Sequence, residues 1–430
     1  MIVETLAYFR NLPGAIERTR LVILVLIAFS LPFDMFYSSL LLITLTALTL
    51  LDLSRERLGQ IPVQVWIFQA VYLLSLAGYF YSADKKAAGY LLERQLTIFL
   101  FPLVLPLVLQ FKRQTMLVLL NALSIGSIMA LFYLFIALFV KVLITLELPP
   151  QYLVSGVFLN HEFSKPLAIH AGYLSLYVCL SIIHILYRFI NTPRLSALIL
   201  HVLALMVLAA GLIFLASRNS VIALVVILVA VLPFYITGNR ARYLILLCGL
   251  LALIMIAFFS VDYLRERFSV FLLGDIGPQT LSDSFQGVVL EPRYERWRCA
   301  TDLLKRSFLF GFGTGDEVLM LKYCYIQSGL YISYLEEFNA HNTYLSILLK
   351  HGLLGFLVFL FAFVYYVFLA INTKDFLYLA FLILLLIGFY TENLLDANKG
   401  IVLFALFNTA FGYIAIDERR KSSLTLNSGK

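Results

Sequence analysis

Residues 117–140 read LVLLNALSIGSIMALFYLFIALFV, an apolar run without a single charged side chain. The hydrocarbon core of a bilayer, about 30 Å thick, takes about 20 such residues as one helical span. The strands of a transmembrane barrel alternate apolar and polar over about 10 residues, and this run does not alternate. It is therefore a membrane helix. Similar runs recur on either side of it through the 430-residue chain, with most of the basic residues in the short breaks between them. Composition agrees: 62% of residues are hydrophobic and 13% charged, against roughly 45–50% and about 25% in soluble domains. A soluble globular protein is excluded, and the expected fold class is an all-α polytopic membrane protein. The net charge of +7 does not indicate a nucleic-acid partner, because such a site needs its basic residues gathered on one folded face.

Twelve spans are expected, centred near residues 27, 44, 71, 103, 131, 178, 206, 228, 252, 356, 383 and 408. With the N-terminus inside, the cytoplasmic breaks hold sixteen Lys and Arg residues, among them Arg18, Arg113, Arg188, Arg240, Lys374 and Arg419. The short external breaks hold six: Lys85, Lys86, Arg94, Lys165, Arg218 and Lys399. The positive-inside rule then puts both termini in the cytoplasm. The first run lacks a small-residue cleavage site behind it and reads as a retained helix rather than a signal peptide. The expected division is residues 1–261 for spans one to nine, 262–340 for an external helical loop, 341–416 for spans ten to twelve and 417–430 for a polar, disordered cytoplasmic tail.

An uninterrupted loop of that length is usually functional or has structure of its own. Here EPRYERWRCATDLLKRSF sets Pro292 near a helix start and places Trp297, Ala300 and Leu304 on one stripe. A second helix is expected from Asp316, after the glycine turn GFGTG, with SYLEEF leading into the tenth span. Gly311, Gly313 and Gly315 read as turn residues, since a dinucleotide fingerprint needs a βαβ context that is absent. Cys179 and Cys248 lie in apolar runs and read as packing residues. Cys299 and Cys324 fall in the loop, and their pairing is left open.

Several polar residues stand where apolar runs begin. Arg218 sits in a tight external turn at the start of the eighth span, where a cation opposes the positive end of the helix dipole and an anion nearby would offset it; snorkelling to the interface is the alternative. Arg293, Arg296 and Arg298 crowd one helix of the loop, with Arg293 and Trp297 at i, i+4. Forked guanidinium groups match phosphate oxygens, although pairing with Glu291, Glu295 and Asp302 is the better account of Arg296 and Arg298. His341 opens the tenth span in EEFNAHNTYL, where the dipole favours a neutral ring able to accept a proton. His170, at the mouth of span six, is placed to share the same cavity, whereas Lys350 reads as snorkelling or functional. No acidic cluster has the spacing of a metal site, so neither a metal nor another cofactor is expected.

Taken together, SRNSVIAL after the seventh span, Arg293 and Trp297 followed by FGFGTGD, and HNTYL opening the tenth span resemble the O-antigen ligase and O-antigen polymerase superfamily. Family members often have glycine after the first arginine, where this chain has Asn219. The resemblance implies a multi-span glycosyltransferase of the GT-C type, inverting and metal-independent, in the bacterial inner membrane with its site on the periplasmic side. Its implied partners are an undecaprenyl-pyrophosphate-linked glycan, a lipid A–core acceptor and membrane lipids. Carried over residue by residue, Arg218 and Arg293 would hold the donor pyrophosphate, His341 would be the base, and Asn342 and Trp297 would support it. Glu392 and Arg94 rank second for substrate binding. A polymerase or a protein oligosaccharyltransferase of the same superfamily is the near alternative. A lipid-glycan transporter is the distant one, for which the sequence shows neither repeated halves nor a clearly broken helix.

Overall fold

The computed structural model describes residues 14–51, 53, 59, 61–108, 112–191, 195–236, 240–268 and 293–428, and among these all regular structure is helical. The helices are α1 (Ala15–Ser30), α2 (Met35–Leu50), α3 (Ala70–Tyr81), α4 (Lys85–Val108), α5 (Arg113–Phe139), α6 (Ala171–Asn191), α7 (Leu195–Leu215) and α8 (Arg218–Val226). They continue with α9 (Arg240–Ser260), α10 (Asp262–Phe268), α11 (Arg293–Leu304), α12 (Glu317–Gln327), α13 (Tyr331–Leu335), α14 (Thr343–Asn372), α15 (Phe376–Phe389) and α16 (Asn398–Ser428). Eleven of the twelve expected span centres fall within these helices, and residue 228 falls in the π-helical turn Ile227–Val231 that continues α8. Seven of the described helices, α4, α5, α6, α7, α9, α14 and α16, are long and apolar enough to cross a membrane. Pro292, Glu291 and residues 269–290 of the long loop lie outside the described residues.

Lipid tails are as apolar as the helices, so association rests on close packing and on hydrogen bonds between helices. Helices α6 and α16 are the most enclosed of the seven; α6 packs on α5, α7 and α15, and α16 on α4 and α14. Tyr378 stacks on Phe411 at 5.1 Å and Phe363 on Phe404 at 5.8 Å. Pro106 lacks the N–H that would bond the carbonyl of Pro102 four residues earlier in α4. The Tyr413 hydroxyl of α16 donates to that carbonyl instead, at 2.6 Å, so an apolar helix tolerates its proline because a neighbour satisfies the freed group.

A sharper interruption joins the loop helices to the membrane bundle. Helix α14 breaks at Gly352, where φ is 62° and ψ is −166°. The freed backbone groups pair with the chain just after α11: Phe312 N donates to Leu349 O at 2.7 Å, Gly313 N to Lys350 O at 3.0 Å and Leu353 N to Phe308 O at 2.8 Å. The Tyr81 hydroxyl of α3 donates to Phe310 O at 2.8 Å. The turn-forming glycine segment is thus spliced into a membrane helix, and the broken helix that the sequence does not reveal is closed by the chain itself.

Further departures from expectation are local. Helix α4 already begins at Lys85, so Arg94 is an exposed residue within it rather than part of a loop. Helix α16 runs on past residue 416 to Ser428, with Lys421 and Asp417 paired at i, i+4, where a disordered tail is expected. In the break between the fifth and sixth expected spans, residues 150–167 form a chain of short helical turns.

A methyl group on Gly352 would meet the backbone of Leu309 and Phe310 in a left-handed conformation. Gly352→Ala should therefore destabilise the protein by roughly 2 kcal/mol or more, read as a lower thermal midpoint in detergent. Gly249→Ala on α9, with open space around it, should leave the midpoint essentially unchanged; equal effects of the two would contradict the splice.

Candidate functional site

Three helices begin at one place: α6 at Ala171, α8 at Arg218 and α14 at Thr343. Their N-termini carry partial positive charge, which suits an anion. The turn after α7, the segment 390–397 after α15 and the short turns of residues 160–170 complete the walls. Between them lies an open cavity that is lined by Arg218, Arg267, Arg293, His161, His170 and Glu392, among others.

The three guanidinium groups arrive from separate elements. Arg218 is the first residue of α8, where Ser217 has extended backbone, and its Nη1 donates to Arg267 O at 3.4 Å. Arg267 ends α10; its Nε donates to Ala216 O at 2.8 Å and its Nη1 to the Tyr263 hydroxyl at 3.1 Å. Arg293 opens α11 and reaches Glu392 Oε1 with Nη2 at 3.4 Å. Asn219 bonds the Thr391 hydroxyl, fixing the start of α8 to the segment that carries Glu392. Among the described lining residues, three guanidinium groups stand beside one carboxylate, a formal balance of about +2 while the histidines are neutral.

His341 joins this cavity through Glu392, whose Oε2 stands 3.7 Å from His341 Nδ1. Burial by itself would raise the Glu392 carboxyl, but His341, His170 and Arg293 outweigh it and hold the group down at about 2. Glu392 is therefore an anion at any physiological pH. His161 and His170 lie with ring centroids 4.1 Å apart. Burial, the neighbouring His170 ring and Arg267 push His161 down to about 4. Burial also lowers His170, assisted by His341, Arg293 and Arg267 against the opposing pull of Glu392. Gly172 N donates to His170 Nδ1 at 3.2 Å, as expected of a neutral ring.

The backbone at His341 is left-handed, with φ at 47°, which costs a residue with a β-carbon on the order of 1–2 kcal/mol. Its neighbours are tied on both sides. Trp297 Nε1 donates to Ala340 O at 2.9 Å, and Asn393 Oδ1 accepts from Asn342 N at 2.7 Å. The Asn342 side chain caps α14, accepting from Leu345 N at 3.1 Å.

Of the residues singled out from sequence, Arg218, Arg293, His170 and Glu392 thus share one cavity, with His341 beside it. Trp297 and Asn342 hold the backbone on either side of His341. Arg296 is buried with its guanidinium over the Phe338 ring, 5.1 Å from the centroid. Arg298 is exposed and pairs with Glu295 at 3.9 Å. Arg94 lines neither this cavity nor the neighbouring one around Lys350. Sequence reading did not single out Arg267 or His161; the signal available for His161 was the length of the break between α5 and α6. Cys299 and Cys324 form a disulfide that ties α11 to α12. Among the described residues no group of three or more His, Cys, Asp or Glu side chains is arranged to hold a metal ion.

The fold defines a polytopic, all-helical membrane protein with a basic cavity at one end of its bundle. Residues 201–360 match the family described as O-antigen ligase, a stretch that includes Arg218, Arg267, Arg293 and His341 and supports membership of the O-antigen ligase and polymerase superfamily. No curated protein matches the chain.

The depressed His161 means that the folded protein binds fewer protons than the unfolded chain as acidity rises. Its contribution to stability is full above about 6.5 and is lost as pH falls through about 4. The thermal midpoint in detergent should fall across that window, and His161→Gln should flatten the fall; an identical slope in the variant would assign the acid sensitivity elsewhere.

Proposed function

We propose that this protein is a glycosyltransferase that moves an O-antigen glycan from undecaprenyl pyrophosphate onto a lipid A–core sugar at the periplasmic face of the bacterial inner membrane. The observation that carries the reading is the meeting of Arg218, Arg267 and Arg293 in one cavity with Glu392, 3.7 Å from His341. A pyrophosphate diester carries two negative charges, which complement the excess charge of that lining. A lipid-linked donor keeps its tail in the bilayer while its charged head reaches a site at the helix ends, and the cavity has that location. The disulfide agrees with an oxidising compartment on this side.

In the proposed reaction the acceptor hydroxyl attacks the anomeric carbon from the face opposite the pyrophosphate. A new C–O bond forms as the bond to the pyrophosphate oxygen breaks, inverting the carbon. The departing oxygen takes the electron pair, and the three guanidinium groups stabilise the charge gathering there. The hydroxyl proton passes to His341 Nε2, while Glu392 faces Nδ1 and stabilises the resulting imidazolium. Such contacts are often long before substrate binds and tighten in the reacting complex. Glu392 thereby takes a more direct role than general substrate binding. No step requires a metal.

His341→Ala should lose about 10²–10⁴-fold in turnover while still binding undecaprenyl pyrophosphate; unchanged turnover would remove it as the base. Arg267→Ala should weaken binding of that lipid at least about tenfold, since a charge-assisted hydrogen bond is worth roughly 1.5–3 kcal/mol, and unaltered affinity would take Arg267 out of the site. Purified protein given donor and acceptor should turn over in excess chelator, and inhibition relieved by magnesium would overturn the metal-free reading. In a strain lacking the gene, long polymer should remain on the lipid carrier, whereas accumulation of single repeats would favour a polymerase.

A further inference from the structure

Beneath the cavity lies a second group of charges that the proposed reaction does not use. Lys350 of α14 is buried, and its Nζ stands 2.5 Å from Asp396 Oδ2 and 3.1 Å from Glu317 Oε2. Glu317, at the start of α12, is also buried, and its Oε2 accepts from the Ser346 hydroxyl at 2.5 Å. Asn393 bridges the carboxylates, donating to Glu317 Oε1 at 3.2 Å and to Asp396 Oδ2 at 3.1 Å. Placing Lys350 and Glu317 out of water, beside a partly exposed Asp396, is costly, and replacing such groups with apolar side chains of similar volume is often neutral or stabilising. Stability alone is therefore a poor reason for the cluster.

Its outward-facing bonds are more informative. Glu317 Oε1 accepts from Ala340 N at 3.2 Å, and Asn393 Oδ1 accepts from Asn342 N at 2.7 Å. These are the residues immediately before and after His341, whose own backbone is left-handed. A strained conformation of this kind persists only where its surroundings over-determine it. The segment carrying Asn393 and Asp396 also carries Glu392, and Thr343 Oγ1 donates to Glu392 O at 2.7 Å. One buried cluster thus grips both flanks of His341 and the strand of chain that brings Glu392 to its ring.

We propose that Glu317, Lys350, Asn393 and Asp396 are positioning residues that set the orientation of His341 against Glu392, so that they govern turnover without taking part in donor binding. The proposal rests on His341 acting as the base. Misplacing a reacting group by about 1 Å can cost on the order of 10²-fold. Glu317→Ala releases the residue before His341, and Asn393→Ala releases the one after it.

The experiment measures, on the full-length detergent-solubilised protein, the number of undecaprenyl pyrophosphate sites and their Kd by titration, then kcat per site with lipid-linked glycan and lipid A–core. Both variants should keep the wild-type Kd while kcat per site falls roughly 10- to 100-fold. If turnover falls only in proportion to the number of binding sites, the cluster is merely structural and the proposal is wrong. If one variant does not fold, which the loss of its sites would report, the other decides. His341→Ala in parallel separates the two ideas. Wild-type kcat in that variant would sink the base assignment itself, whereas a dead His341→Ala beside fully active Glu317→Ala or Asn393→Ala would sink only the positioning role.

Discussion

A lysine ammonium removed from water is tolerated only when its charge is met at once, and Lys350 is met twice, by Asp396 and Glu317. The three groups come from α14, from the connection between α15 and α16, and from α12. None of these elements can shift without exposing an unpaired charge to an apolar surrounding, so the interaction sets the relative placement of a membrane helix, a connecting segment and the external helices. The approach of His341 to Glu392 inherits its geometry from that constraint. His341 and Glu392 each lie within a few residues of a member of the cluster, while Arg293 comes from α11, tied to α12 by the disulfide.

The described lining of the cavity is basic. Guanidinium groups crowd the ends of three helices whose dipoles already favour negative charge, and Glu392 is the carboxylate among its lining residues. The paired imidazoles do not add to the repulsion, because burial and the nearby arginines keep them neutral. Under the proposed function, an anion entering the cavity would offset this crowding of like charges. Guanidinium suits the task better than ammonium, since its planar fork can hold two oxygens at once and its charge is not lost on burial.

Much of this was readable in the sequence because membrane proteins advertise their exceptions. An arginine at the edge of an apolar run, as at 218, or a histidine opening one, as at 341, is conspicuous against a background with so few polar residues. Helix positions were legible for the same reason. What escaped notice depends on contacts made at a distance. Arg267 has no local peculiarity and becomes significant only when α10 folds back to the carbonyl of Ala216. His161 sits in a stretch whose polarity is ordinary for a connection. Lys350 reads equally as a snorkelling or a functional cation until Glu317 and Asp396 are brought beside it, and the proposed role of Glu392 comes only from its separation from His341. The break at Gly352 was hidden because KHGLLGFLVFL has the composition of an unbroken span.

That break also has a bearing on the order in which the molecule is built. Synthesis delivers residues 308–313 before Gly352, so the backbone donors and acceptors that complete the interrupted helix are already made when its second half emerges. Were the segments encoded in the opposite order, a gapped span would have to wait in the bilayer with bare amide groups until its filler was translated, a state that hydrocarbon penalises heavily. The position of a glycine-rich turn ahead of the tenth apolar run therefore works as a schedule as well as a joint.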